Sequence, residues 1–436
     1  MAASEMIGFE AAFETAQKRF NGDRPSWWHD ARRRAFDDFR QRGLPTRRDE
    51  EWKYTNVRQL GDVSYRLPES ATPTSNLDAY AAYRDDADLE LIFIDGVFDA
   101  AQSRLADLPA GVWAGSVEQA LPGHGDVIQQ FLSAWDGADA FAYLNGAFLE
   151  TGAFIDVDPN TVVPVMIHVL HVITDAGKAS MTSPRTFVRV GRSSEVRILE
   201  SFVSHSGEAC FINQISDMDV AENAHLEHCM VQAQGLEATH IGTTRVRQAA
   251  HSHVATFACA LGAKLARHNL RVELNGEGTH TNLDGLYATK DGQHVDNHTS
   301  IDHRHPNSTS NQLYKGVLNG KSRAVFNGKI FVRDIAQKTN AYQLNRNLML
   351  GPECKVDTKP QLEIFADDVK CTHGAAIGQL DDEEIFYLES RGISREHAVR
   401  LLSHGFARDV FERVQDEGIR ARLEQHLAEY FGDALA

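Results

Sequence analysis

The sequence predicts a mainly β protein built around a stacked parallel solenoid, with helical regions on either side. Three observations predict it. Helical periodicity nearly disappears between about Phe148 and Leu380, where short β-branched or alternating apolar runs follow one another. Asn, Gly, Asp, Ser and Thr fill the intervals, and these residues make turns. His225, His251 and His280 each sit in an Asn/Ala/Thr-rich, strand-like segment at intervals of 26 and 29 residues, the loose period expected of solenoid coils. Strands of a solenoid pair in parallel with the coils before and after them, so a long β pattern needs no βαβ alternation. A sandwich or barrel is the rival, but regular hairpins every ~8–12 residues would mark one, and few are visible.

The elements follow in order. Residues 1–147 read as an N-terminal α+β, largely helical domain. Phe9, Phe13, Ala16, Lys18 and Phe20 hold roughly helical spacing, and Trp28 to Phe39 mixes apolar residues with Arg32, Arg33 and Arg34 in the same way. Pro45 and Thr46 break that pattern, and Leu89 to Gly96 reads as a strand entering a turn. Residues 148–380 form the solenoid core, with strands expected at Val163–Ile173, Thr186–Val190, Val196–Val203, Leu270–Leu274 and Ala324–Val332. Asn319-Gly320 and Asn327-Gly328 predict tight turns. Residues 381–436 return to helix. Ser394 is a candidate N-cap. Val399, Leu401, Leu402, Phe406, Val410, Phe411 and Val414 repeat at three and four, and a last helix spans about Ile419 to Tyr430.

Composition narrows the function. The 436 residues allow two or three domains on ~100–200 residues each. A hydrophobic content of 42% with 24% charged residues describes a folded chain. The net charge of -17 repels phosphate backbones and anionic lipid, so neither nucleic acid nor membrane is the expected partner. Met1 to Glu10 carries Glu5 and Glu10 and lacks a basic stretch followed by an apolar run. No segment reaches the ~18 apolar residues of a membrane span. Five dispersed cysteines argue against a disulfide framework and for a reducing compartment, so a cytoplasmic protein is expected.

Three motifs carry residues capable of chemistry. Gly316-Val-Leu-Asn-Gly320-Lys321-Ser322 has three residues before the Gly-Lys pair where a phosphate loop has four, and it lies between strands, so it reads as a turn. His294, His298, His303 and His305 lie close together with Asp296 and Asp302. They lack the convergent spacing of a zinc site and are expected to hydrogen-bond along a polar face. Cys371 and His373 are two residues apart. On a strand they share a face with Cα atoms ~6.5–7 Å apart. That pair suits iron or an iron–sulfur cluster, a Cys–His nucleophile, or a small buried cysteine beside a structural histidine. Two ligands cannot close a tetrahedral site. Cys-x-x-Cys, Gly-x-Ser-x-Gly, His-Glu-x-x-His and a Rossmann glycine fingerprint are all absent.

Cys371 sits in a longer signature. It comprises Gln337 to Leu350, then Lys359 to Gly374 with its Lys-Cys371-Thr-His373-Gly core, then Ile385 to Ile393. Asp296 to His303, Ser310 to Gly316 and Arg48 to Thr55 (Arg-Asp-Glu-Glu-Trp-Lys-Tyr-Thr) go with it. Together these resemble the SufB/SufD family of iron–sulfur cluster assembly proteins over nearly the whole chain. The Lys-Cys-Thr-His-Gly and Glu-Glu-Trp-Lys-Tyr segments are closer to the SufD branch. A cysteine placed as in SufB near the start of the last strands is missing.

The resemblance implies a right-handed parallel β-helix between helical terminal domains. It implies a non-enzymatic scaffold that pairs with a SufB-like subunit through the last coils and docks a SufC-like ABC ATPase on its C-terminal helices. A transient iron–sulfur cluster would form at the shared interface, with His373 complementing a cysteine of the partner and Cys371 matching the neighbouring family cysteine. None is expected to stay bound to the isolated chain, which could form a homodimer through its strand edges. The competing function is a β-helical carbohydrate-active enzyme. It would need paired carboxylates on one flank, and the acidic residues here are scattered. A Cys–His hydrolase at 371 and 373 lacks an orienting third group.

Overall fold

A computed structural model describes residues 7–19, 24–67, 77–84, 89–105, 108–133, 139–174, 179–204 and 209–432; Met1, Glu5 and Phe20 lie outside them. The chain opens with helices α1 (Ile7–Arg19) and α2 (Ser26–Arg42). Gly43 stops α2 at a positive φ of 69°, two residues before Pro45. Strands β1 (Leu89–Ile94), β2 (Val97–Phe98) and β3 (Val112–Ser116) follow, then helices α3 (Val117–Ser133) and α4 (Ala140–Ala147).

The solenoid then runs through β4 (Gly152–Val157), β5 (Ile167–Ile173), β6 (Met181–Thr182), β7 (Arg185–Val190), β8 (Glu195–Ser204), β9 (Phe211–Val220), β10 (His225–Ala233) and β11 (Thr239–Gln248). It continues with β12 (His253–Ala260), β13 (Leu265–Leu274), β14 (His280–Thr289), β15 (His294–His303), β16 (Thr309–Leu318), β17 (Arg323–Val332), β18 (Asn340–Met349), β19 (Lys355–Ile364) and β20 (Lys370–Gly378). Helices α5 (Asp382–Ser390), α6 (Arg395–Arg408) and α7 (Glu417–Phe431) close the chain.

From β7 onward successive strands alternate between two sheets, and within each sheet the solenoid strands pair in parallel. One sheet runs β2-β1-β5-β8-β10-β12-β14-β16-β18-β20 and the other β19-β17-β15-β13-β11-β9-β7-β4-β3. This is the expected parallel β-solenoid; the strands expected at Val196–Val203, Leu270–Leu274 and Ala324–Val332 are longer than those runs, whereas the one expected at Val163–Ile173 begins only at Ile167, after Pro164.

The repeat has a backbone cause. One corner of each coil is held by a residue at positive φ: Ser193, Asn223, His251, Gly278, Asn307 and Lys338. Each of these donates its N–H to a carbonyl of the next coil, as in His251 to Glu277 at 2.8 Å and Asn307 to Gln337 at 2.9 Å. A small buried residue follows (Ser194, Ala224, Ser252, Thr279, Ser308, Thr339), and the next strand begins one residue later. His251 is therefore a corner residue. The histidine in register with His225 and His280 is His253, and the three rings stack at 4.5 and 4.6 Å. The intervals 26 and 29 mixed corner and strand positions.

Asn319-Gly320 is a turn, with Gly320 at φ +59°. Asn327-Gly328 is not: both lie inside β17. A Cβ on Gly328 would stand 2.2 Å from Nε2 of Gln343, so the glycine is there to let a side chain of the facing sheet pass.

Helices clad opposite outer faces. Phe9, Phe36, Phe39 and Phe141 from α1, α2 and α4 pack with Phe211, Ile241 and Leu265. On the other sheet, Ala407, Phe411, Leu423 and Leu427 cover Leu199, Cys229, Phe257 and Leu286. Val410, Phe411 and Val414 do not extend α6; they sit in and around a short 3₁₀ turn that seats on the sheet. That turn is pinned by Lys315 on Asp409, by Arg413 on Asp284 at 3.1 Å, and by Glu227, which accepts N–H groups of Gln415 and Asp416. Ser394 caps α6 as expected, accepting from His397 N–H.

Candidate functional site

The two sheets end at β19 and β20. Parallel pairing keeps side-chain columns in line, so each residue of β20 continues a column that runs through the coils before it. Cys371 stands beside Ala341, which is buried in the solenoid core, and packs against that core. His373 stands beside Gln343, a fully buried side chain that donates to Gln312 at 2.6 Å. Both residues thus occupy inward-pointing positions of the last coil. No described strand covers the far side of that coil, so Cys371 is only half-buried and His373 is exposed.

The rest of the open mouth is mixed in character. Val356, Thr358, Pro360 and Leu362 point inward from β19, half-buried, and Ile364 (40% exposed) and Ile377 (45%) lie at its margins. The buried hydroxyl of Thr358 has no partner among the described residues.

Partial burial pushes the Cys371 thiol up, against the opposing effect of a backbone hydrogen bond at Ala341. A thiol in this state needs a metal ion or a positive neighbour to become a thiolate. The other cysteines differ. Cys210, Cys229, Cys259 and Cys354 are buried, and burial raises Cys229 and Cys259, the latter to about 12. Cys371 is the one accessible thiol among the described residues. A thiol and an imidazole are suitable donors for iron or a cluster, yet the described residues contain no group of three His, Cys, Asp or Glu able to hold a metal ion.

The histidine cluster is dispersed over two faces and a loop. His303 points inward and bonds Ser310 at 2.9 Å; burial lowers it to about 4. His294 and His298 point outward, under the segment Arg48–Thr55. His294 meets the Thr55 hydroxyl at 2.9 Å, and His298 bridges Asp296 (2.9 Å) and Glu51 (3.1 Å). His305 follows the end of β15. Glu51 also takes Lys329, and the bonds from His298 and Lys329 hold its carboxyl down at about 2 despite burial. Arg267 stacks over Trp52 at 3.8 Å. The Glu-Glu-Trp segment is therefore a strap across β13, β15 and β17. Nothing in the local sequence joins the two motifs, because no local signal reports a contact some 240 positions away.

The segment 316–322 starts within β16 and crosses the turn to β17, with no helix after it. It is a strand end and a turn, as expected.

Comparison with known proteins gives consistent matches. Residues 171–406 match the "SUF system FeS cluster assembly, SufBD core domain" family, and residues 4–169 the "SufBD protein N-terminal region". A SufBD family iron–sulfur cluster assembly protein of Synechocystis is 34% identical over 395 residues, covering 88% of this chain and 86% of that one. The iron–sulfur cluster assembly protein SufD of Escherichia coli is 32% identical over 392 residues (88% and 90%). A chloroplastic protein of Arabidopsis thaliana is 32% identical over 390 residues (88% and 82%).

Proposed function

The chain belongs to the SufBD family of iron–sulfur cluster assembly proteins of the SUF system, and from that membership we propose that it is a scaffold subunit whose last coil forms half of a cluster-assembly site. The observation that carries this reading is the position of Cys371 and His373. They are inward-pointing residues of a terminal coil whose far side no strand covers among the described residues. A paralogous SufB-like solenoid stacked on β19 and β20 would extend both sheets, cover the open mouth and bring further ligands to the pair. The nascent cluster is cargo in this scheme. His373 donates through a ring nitrogen, Cys371 through sulfur once a metal displaces its proton, and the partner supplies the rest. In isolation the same edges support a homodimer.

A SufC-like ATPase is assigned to the C-terminal helices. Phe386 and Tyr387 of α5 are adjacent aromatics, 70% and 58% exposed, with Arg391 lying 5.2 Å over the Tyr387 ring. Aromatic side chains of this kind are what interfaces bury. The turn before α7 is tied to the solenoid by Arg197–Asp416 and Arg413–Asp284, so force applied at α5 and α6 has a rigid element to act against.

The test is anaerobic reconstitution of the complex from this chain, its paralogue and the ATPase, with cluster loading read by visible absorbance and iron content. His373→Ala should lower loading strongly and Cys371→Ser more mildly. Loading of His373→Ala equal to wild type would remove the site assignment. Separately, Phe386→Ala with Tyr387→Ala should release the ATPase while the paralogue stays bound; an ATPase that remains bound would remove the docking face.

A further inference from the structure

The strap described above borders an open cavity of about 1000 Å³ between the N-terminal region and the outer face of β13, β15 and β17. Cluster assembly at β20 makes no use of it. Its size is at the upper end of small-molecule sites, ~300–1000 Å³. Its charge is unusual for a chain of net charge -17.

The carboxylates around it are already engaged. Glu51 is held by His298 and Lys329, and Glu50 by Lys359. Asp49 accepts from the backbone and hydroxyl of Thr46 (2.7 and 3.1 Å). Asp139 caps α4 and reaches Arg271 only at 3.5 Å. The cations are less engaged. Arg42 and Arg48 line the cavity, and their guanidinium groups have no ion pair among the described residues. Arg271 keeps donors beyond its single long contact. These three approach from the end of α2, from the strap and from β13. Leu44, Pro45 and Phe331 supply an apolar wall, and Asn327, 5% exposed, has a buried Oδ1 without a hydrogen-bond partner among the described residues.

We propose that this cavity binds an organic phosphate of about mononucleotide size. The phosphate lies between Arg42, Arg48 and Arg271, the organic body lies on Leu44, Pro45 and Phe331, and an N–H or O–H of the ligand satisfies Asn327. Guanidinium forks match phosphate oxygens two at a time, which is why arginine serves here better than lysine. The proposal stands independently of the role assigned to β20.

Titration calorimetry of the full chain at low salt, with ADP, pyrophosphate and adenosine as probes, tests it. ADP should saturate one site, pyrophosphate should bind more weakly, and adenosine should give no signal. Arg42→Ala with Arg48→Ala should weaken ADP by about tenfold or more, the loss expected from charge-assisted hydrogen bonds. Ser300→Trp, which fills the cavity from β15, should do the same. Circular dichroism and elution volume report that both variants fold. The proposal is overturned if ADP does not saturate, if both folded variants bind it as wild type does, or if pyrophosphate binds as tightly as ADP.

Discussion

Gly316→Ala tests the packing logic of the solenoid in one methyl group. Gly316 lies in β16 beside Tyr287 of β14, and Gly285 of β14 lies beside Tyr314 of β16, so each ring rests on the other strand's glycine. A Cβ on Gly316 would stand 2.2 Å from the Tyr287 ring and 2.5 Å from the Asn347 Oδ1. The ring cannot step aside cheaply. It is fully buried, its hydroxyl donates to Asn347 at 2.6 Å, and it accepts from Asn345 at 3.0 Å. Overpacking of this kind costs ~1–3 kcal/mol, and displacing a buried hydroxyl from its partners adds ~1–3 kcal/mol. Against this, alanine stabilises by ~0.4–1 kcal/mol through the unfolded chain. The net loss is about 1–5 kcal/mol, read from urea unfolding followed by tyrosine and tryptophan fluorescence. Gly405→Ala in α6 is the matched control. Nothing lies within 4 Å of its added Cβ, so helix propensity alone predicts a gain of ~0.5–1 kcal/mol. A Gly316→Ala protein that unfolds within ~0.5 kcal/mol of wild type would refute the interlocked packing.

Three further outcomes follow from charge and exposure. Burial pushes Asp284 up to about 7 against the pull of Arg413, so the folded state holds a proton that the unfolded carboxyl, near 3.8, has released. Wild type should therefore lose a few kcal/mol relative to Asp284→Asn as pH rises from ~4 to ~7, with a constant difference above that; parallel pH profiles would contradict the assignment. Burial drives His268 down to about 3, so its neutral form favours the fold fully above the unfolded value of 6.5 and that contribution drains away as pH falls below it. His268→Gln should flatten the decline below pH 6.5, seen in thermal melts at pH 4.5 and 7.5. His373 is exposed, so His373→Ala should change unfolding free energy by less than ~0.5 kcal/mol; a larger loss would mean that any drop in cluster loading reports misfolding.

The solenoid was legible because its corners recur. A left-handed residue, a small buried residue and a polar strand start repeat from Asn223-Ala224-His225 to Lys338-Thr339-Asn340, and turn-forming composition exposes that rhythm. Its phase was not legible, since His251 and His253 look alike in sequence and only backbone geometry separates corner from strand. Asn327-Gly328 misled for a related reason. Glycine marks both turns and close approaches, and the Gln343 side chain that requires Gly328 comes from the opposite sheet. The placement of Cys371 and His373 on one face of a strand followed from their spacing alone. The open far side of that strand, and the strap over β13 to β17, depend on contacts that local sequence does not carry.

The two ends of the solenoid are built differently, and the difference bears on what the molecule can join. At the N-terminal end an antiparallel strand closes each sheet, β2 against β1 and β3 against β4, and helices cover the outer faces. At the other end β19 and β20 are both parallel edge strands, each bonded on one side only among the described residues. Unprotected edges invite indiscriminate pairing. Here the outward positions of those strands carry Lys355, Lys359, Glu363 and Lys370, while the inward positions carry Val356, Leu362, Cys371, His373 and Ile377. A flat foreign strand would meet the outward charges and leave the inward apolar columns wet. Another coil, entering in register, would continue both sheets and bury those columns together. Under the proposed function such an end would favour a solenoid partner, and the thiol and imidazole would face that partner's own inward residues.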